Sequence, residues 1–358
     1  MGYGKYVLFR LVNLFIILGL VTLLTCAIFE SAMTQMVRAQ IDEQVRADVM
    51  NYVKQQQSKG YVPTQEEIRE FEQSRRELYE RRYGLDKPPL IRILYRVRDV
   101  MTLNLGQSVS EQISYAGSRE VKTIILGYLP NTILLFTTGS IVTMLVGLFI
   151  GFQIARRVGS VLDRFTSIFA MVTYSLPMWW TGLLFIFLFA FQIRIFPAGG
   201  MHTLPPPTGL LGYVDLLWHL ALPLITYVFV NFGGVAYVTR QLIIGTLQED
   251  FVMAARAKGI PERKVLYGHV LKAASPAIVT MTTLSIVNSL SGAIITEAVF
   301  NWPGMGRLYW IAIEANDMAI IIGLTYVLTV IWLIALIFID LVYGILDPRV
   351  KVGISGGR

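Results

Sequence analysis

Cysteine is nearly absent from this 358-residue chain. Its single thiol, Cys26, excludes a disulfide framework within the chain and any cysteine-built zinc site, and its place in an apolar run predicts a small buried hydrophobe. Histidine is almost as scarce. His202, His219 and His269 are scattered without any metal-binding spacing such as H-E-x-x-H, so no metal site is expected. No G-x-x-x-x-G-K-[ST] run occurs, which excludes a phosphate-cradling loop and ATP hydrolysis by this chain itself. No Ser/His/Asp set or paired-carboxylate arrangement stands out, so no catalytic residue is expected. Charge is the last shortage: 15% of residues are charged, against about 25% in soluble domains. The formal charge of +7 would suit a polyanion, but its distribution argues against nucleic acid. Residues 30–125 carry 15 Lys and Arg against 14 Asp and Glu, and most of the remaining surplus flanks apolar runs.

Long hydrophobic runs are what the chain has instead. At 54% hydrophobic residues, with apolar stretches of membrane-crossing length, it reads as an integral membrane protein. Leu11 to Phe29 is a 19-residue run preceded by Lys5 and Arg10. It is longer than the core of a signal peptide and no small-x-small cleavage site follows, so it predicts a retained helix with its N-terminus inside. Five further spans are expected near 125–155, 165–193, 218–240, 275–297 and 319–345. Positive charge sits on alternate connections: Arg156, Arg157 and Arg164, then Arg240 with the loop after it, then Arg349, Lys351 and Arg358. The two short opposite connections hold Arg194 and Arg307. The expected architecture is an all-α protein of six transmembrane helices in the cell membrane, both termini cytoplasmic. Residues 1–30 form the first helix and 31–124 an extended, largely helical extracytoplasmic segment. Residues 125–348 form a five-helix core with a cytoplasmic loop at 241–274, and 349–358 a cytoplasmic tail. Within 31–124, Thr64 and Glu67 match a capping box, and Glu72–Arg76 and Glu77–Arg81 are helix-supporting pairs. Ile68, Phe71 and Leu78 give that helix a narrow apolar edge.

Residues Glu249 to Pro276 are a polar island between apolar spans. Asp250 is expected as an N-cap, Phe251 to Lys258 as a helix, and Gly259 as its stop. Ile260-Pro261 restarts the chain into a helix expected to reach Ala274. Small Ala254 and Ala255 would let another protein approach the backbone closely. On helix signals alone, the island reads first as an ordinary basic cytoplasmic loop. Its sequence, however, resembles the EAA loop of ABC-importer permeases, in the dipeptide, oligopeptide and nickel branch. Asp250, Phe251, Ala255, Arg256, Ala257, Lys258 and Gly259 fit that branch's D-[FY]-x-x-x-A-R-A-K-G form. Met253 stands where the general pattern has glutamate, followed by Ala254 and Ala255.

Other stretches resemble the same family. Gly84-Leu85-Asp86 with Pro88, then Leu105-Gly106-Gln107-Ser108, match its first external motifs, with Asn104 in place of Asp. Tyr174 to Trp180 resembles its S-[IL]-P-x-[FW] element, Thr296 to Gly306 its E-x-x-F-x-x-P-G-[LM]-G outer turn, and Asp347-Pro348-Arg349 its closing D-P-R. Part of residues 35–80 looks like an insertion. The resemblance implies a type I importer permease fold that pairs with a second homologous permease. Two separate ATPase subunits would bind ATP and Mg, and an extracytoplasmic binding protein would deliver substrate. No cofactor is implied on this chain. Coupling to the ATPases would fall to Asp250, Phe251, Ala254, Ala255, Arg256, Lys258 and Gly259. Ser175, Pro177, Met178 and Trp179, with Trp180, would lie near the path, and Pro303, Gly304 and Gly306 would form the outer turn. Glu297 is expected in a structural ion pair or lining the path. Implied substrates are di- and oligopeptides, with oligosaccharides or nickel chelates as alternatives. An ion-coupled transporter or channel is the contrasting reading. It would need several intramembrane charges, and Glu297 and Asp340 are nearly the only ones. A membrane-anchored sensor would explain 31–124 but not five further spans.

Overall fold

Between Leu8 and Ser58 the chain has no proline and one glycine, Gly19, so nothing local stops a helix. The computed structural model, which describes residues 3–290 and 292–346, accordingly shows a single helix α1 over Tyr3–Ser58. The first helix does not end with its apolar run near residue 30 but continues unbroken into the polar segment. Gly60, at φ +79°, turns the chain. Thr64 caps α2 (Gln65–Arg82) with the anticipated box, Thr64 and Glu67 each closing on the other's backbone N–H. α2 returns along α1. Tyr52 and Phe71 stack at 4.3 Å, Arg76 pairs with Asp42 at 2.6 Å, and Tyr79 donates to Asp48 at 2.8 Å. Phe71 thus uses the apolar edge, while Leu78 stays exposed.

α3 (Pro89–Met101) lies against α1. Below it, Val100, Leu105 and Cys26 pack with Ile124 and Ile320 in the largest buried cluster, so the thiol is a buried hydrophobe. α4 (Val121–Ala155) and α7 (Leu210–Leu247) form the central pair. Their approach needs glycine: a Cβ on Gly151 would stand 2.5 Å from the Ala236 carbonyl oxygen, and on Gly147 2.5 Å from Val235. Between them, α5 (Val161–Tyr174) and α6 (Met178–Phe185), continued by a π-helical stretch to Gln192, occupy the span expected at 165–193. The two pieces are bent by 101°. Pro177 supplies no N–H and pushes Leu176 away from helical geometry, which accounts for the break.

After α8 (Asp250–Ala257), α9 (Glu262–Lys264) passes through a π turn into α10 (Leu271–Ser289), a continuous helix Glu262–Ser289. The span expected at 275–297 therefore stops at Ser289, and the restarted helix does not end at Ala274. Gly292 (φ +67°) and extended Ala293 separate it from α11 (Ile294–Val299), followed by α12 (Met305–Glu314) and α13 (Met318–Leu346). Among the described residues five helices are long and apolar enough to cross a membrane, or six when the bent pair is counted as one span. No strand occurs among the described residues. The Asp340 side chain, Asp347-Pro348-Arg349 and the tail 349–358 lie outside the described residues.

Candidate functional site

The polar island builds a knob on the bundle. Glu249, not Asp250, is the N-cap residue, with extended backbone at φ −70° and ψ 145°. Asp250 is the first helical residue, where its charge still suits the positive end of the helix dipole. Gly259 follows the C-cap in the left-handed region at φ +72°, and its N–H donates to the Arg256 carbonyl at 2.9 Å. The two sides of α8 differ sharply. Val252 and Ala255, three residues apart, turn inward onto Phe152 and Ala155 of α4, Ile243 of α7, and Val265, Leu266 and Val270. Ala255 is 6% exposed, so the expectation that it offers its face to a partner is corrected; that face is filled by the chain's own helices. Phe251, Met253, Ala254, Arg256 and Lys258 are on the exposed side. Arg256 reaches across the turn to Glu262 at 2.8 Å and holds that carboxyl below its ordinary range. Beyond it, Lys258, Arg263, Lys264 and His269 line a cationic groove.

On the other side of the bundle, the break between α5 and α6 borders a cleft of about 410 Å³. Tyr174 and Leu176 line it together with Thr143, Tyr227, Asn231 and Ser285. Ser175, Pro177, Met178 and Trp179 are not among its lining. Ser175, Pro177, Trp179 and Trp180 are exposed, and half-buried Met178 packs on the cluster holding Phe300 and Trp302. Neighbouring members of one motif thus separate, because the sharp bend turns α6 away from the cleft.

Glu297 is fully buried but neither lines that cleft nor meets a cation among the described residues. Its carboxylate accepts from the Thr132 hydroxyl at 2.9 Å and from the Arg307 N–H, in the first turn of α12, at 3.0 Å. Thr132 in turn accepts from the Met305 N–H at 2.7 Å. Trp302 donates its indole N–H to the Asn131 carbonyl, and Asn131 donates to the Pro303 carbonyl at 2.8 Å. Gly304 is required by this crowding, since a Cβ there would lie 2.3 Å from Glu297. Gly306 sits against the backbone of Ile294. The outer turn is therefore latched to α4 by a carboxylate held on backbone and hydroxyl donors, an arrangement suited to the N-terminal end of a helix.

Two further polar locks escaped sequence reasoning. Buried Asp317 accepts from the Ser108 hydroxyl at 2.6 Å and the Val109 N–H at 2.9 Å, tying the Gly106-Gln107-Ser108 turn to the start of α13. It also accepts from the Ile320 N–H, the Asx-type capping pattern that was its available signal. Asp163 takes the fork of Arg240, with Nη2 at 2.9 Å, and the Gly159 N–H at 2.8 Å, clamping the start of α5 to α7. Among the described residues no cluster of three or more His, Cys, Asp or Glu could hold a metal ion.

Comparison with known proteins adds the lineage. The family described as "Binding-protein-dependent transport system inner membrane component" matches residues 144–352. The chain is 28% identical over 279 residues to the oligopeptide transport system permease protein AppB of Bacillus subtilis, covering 78% of this chain and 86% of that protein. It is 30% identical over 287 residues to the di/tripeptide transport system permease protein DppB of Pseudomonas aeruginosa, covering 75% and 83%. The dipeptide transport system permease protein DppB of Alkalihalophilus pseudofirmus is 31% identical over 287 residues, covering 76% and 84%.

Proposed function

Because this chain belongs to the family of binding-protein-dependent transport system inner membrane components, we propose that it forms half of the translocation path of an ATP-driven ABC importer for di- and oligopeptides. The peptide class follows the names of its relatives. The observation that carries the mechanism is the two-sidedness of α8. Its outer side offers Phe251, Met253 and Ala254, with Arg256 and Lys258, to a separate ATPase. Its inner side is seated on the cytoplasmic ends of α4, α7 and the Glu262–Ser289 helix. A shift of α8 therefore reaches three spans at once, because a close-packed cluster transmits displacement.

In this reading two ATPase subunits bind ATP and Mg, a second homologous permease completes the path, and an extracytoplasmic protein delivers substrate. Both termini face the cytoplasm of a multi-pass protein in the cell membrane. The same machinery could carry oligosaccharides or nickel chelates, so substrate class is tested by competition. Dipeptides and oligopeptides should block uptake by the reconstituted complex, and oligosaccharides and nickel chelates should not. An ion-coupled carrier is disfavoured because Glu297 is already occupied by donors from two other elements, α4 and the start of α12. The deciding experiment measures ATP hydrolysis by the chain alone and with its ATPase partners in proteoliposomes. Turnover should require the partners and rise with binding protein and peptide. Hydrolysis by the homogeneous chain alone would overturn the reading.

A further inference from the structure

Away from the central cleft, a cavity of about 370 Å³ opens where α1 leaves its apolar run. One wall is apolar, with Met33, Val100, Leu105 and Ile322; the other is charged, with Glu30, Lys87, Arg92, Arg96 and Asp99. The carboxylates on that wall are already committed. Glu30 receives Arg92 Nε at 2.8 Å and the Thr34 hydroxyl at 3.1 Å. Asp99 receives its neighbour Arg98 at 2.8 Å. Arg92 is likewise satisfied, donating also to the Leu85 carbonyl and to Thr34.

Arg96 is the exception. It pairs with no carboxylate among the described residues, its Nη1 meets only the Met33 sulfur, and its Nε is buried without a hydrogen-bond partner. A thioether is a weak acceptor and carries no charge, so Arg96 has no direct ion pair and feels Glu30 and Asp99 only at longer range. Burial pushes its pKa down against the pull of Glu30 and Asp99, and arginine stays protonated at neutral pH. Lys87, held over the Tyr95 ring at 4.4 Å, adds a cation with no ion pair among the described residues to the lining. Asn104 and Gln107 also line the cavity, and neither side chain makes a hydrogen bond among the described residues.

We propose that this cavity binds a phosphate-type oxyanion through Arg96, with Lys87, Asn104 and Gln107 as further donors. Planar guanidinium forks match such oxygens, and Arg96 Nη2, which makes no hydrogen bond among the described residues and is not buried as Nε is, is the donor left to meet one. The location also fits an oxyanion carried on a lipid. Glu30 ends the 19-residue apolar run, which puts the charged wall at headgroup depth and the apolar wall beside the first acyl carbons. The two sources of the chemistry are therefore a phospholipid headgroup and free inorganic phosphate. This site is independent of the peptide path, and its outcome does not depend on substrate.

The test uses the full-length chain, wild type and Arg96→Gln, with Arg96→Lys as the conservative control. Native mass spectrometry after exchange into phosphatidylglycerol or phosphatidylcholine micelles counts retained lipids. Thermal melting with and without inorganic phosphate reads the free anion. The wild type should retain phosphatidylglycerol about tenfold more tightly than Arg96→Gln, the loss of a charge-assisted hydrogen bond, with Arg96→Lys between them. A difference confined to lipid identifies a headgroup site, and one confined to phosphate identifies a soluble-anion site. Should Arg96→Gln fail to accumulate, Asn104→Asp serves instead, since a carboxylate in the wall should repel the same ligand. Wild-type lipid retention and wild-type phosphate response in the accumulating variants would overturn the proposal.

Discussion

At the scale of single residues, the proposed coupling knob turns on a backbone angle and on which way two alanines point. Gly259 sits at φ +72° with nothing within 4 Å of where a Cβ would stand, so a side chain there meets backbone strain alone. Gly259→Val should therefore cost about 1–2 kcal/mol locally, and Gly259→Asn much less because asparagine tolerates the left-handed region. Membrane levels should survive in both, while uptake falls in the valine variant; equal uptake would remove the turn from the coupling mechanism. Ala254 and Ala255 separate surface from core. Ala255→Glu would bury an unpaired carboxylate among Phe152, Ile243 and Val252 and should lower the amount of protein recovered from membranes. Ala254→Glu should leave that amount unchanged and reduce co-purification of the ATPase. A wild-type level of co-purified ATPase with Ala254→Glu would place the docking surface elsewhere. Motif likeness alone could not tell the two alanines apart. The pairing of Val252 with Ala255 on one helical face was the signal that could have done so.

Between elements, buried polar groups with partners remote in sequence add specific ties to the apolar packing. Glu297 joins α4, α11 and the start of α12 through donors far apart along the chain, from Thr132 to Arg307. Glu297→Ala would leave the Arg307 N–H and the Thr132 hydroxyl without their acceptor, at about 1–3 kcal/mol for each buried group left unsatisfied. Glu297→Gln keeps one acceptor oxygen and should melt between the alanine variant and the wild type. Indistinguishable melting of all three would show that the outer turn does not depend on this latch. The number of spans and the position of the knob were legible because hydropathy and charge alternation are properties of contiguous segments. The Asp163–Arg240 clamp and the Asp317 lock were not, because each depends on the register of helices that meet only in three dimensions. The bend at Pro177 was half legible: proline marked the place, but its 101° angle comes from how α6 packs on α7 and α11.

For the molecule as a whole, the two ends of the bundle should be chemically distinguishable in intact cells. An impermeant thiol reagent should modify cysteines introduced between residues 35 and 120 from outside, and spare those introduced between 245 and 270 unless the membrane is permeabilised. Modification of both regions from the same side would refute the six-span arrangement. Such a chain also has an unusual mechanical property. From Glu30 to Ser58 the first helix continues without interruption for about 42 Å at 1.5 Å per residue. α2 braces it by stacking and ion pairs, so it is stiffer than a lone rod. Its far end is a long moment arm on the first span, whose membrane portion leans on α13. A sideways pull of about 4 Å at the Gly60 tip would tilt such an arm by roughly 5°. Whatever grips that tip exerts torque on the bilayer-embedded bundle without touching it.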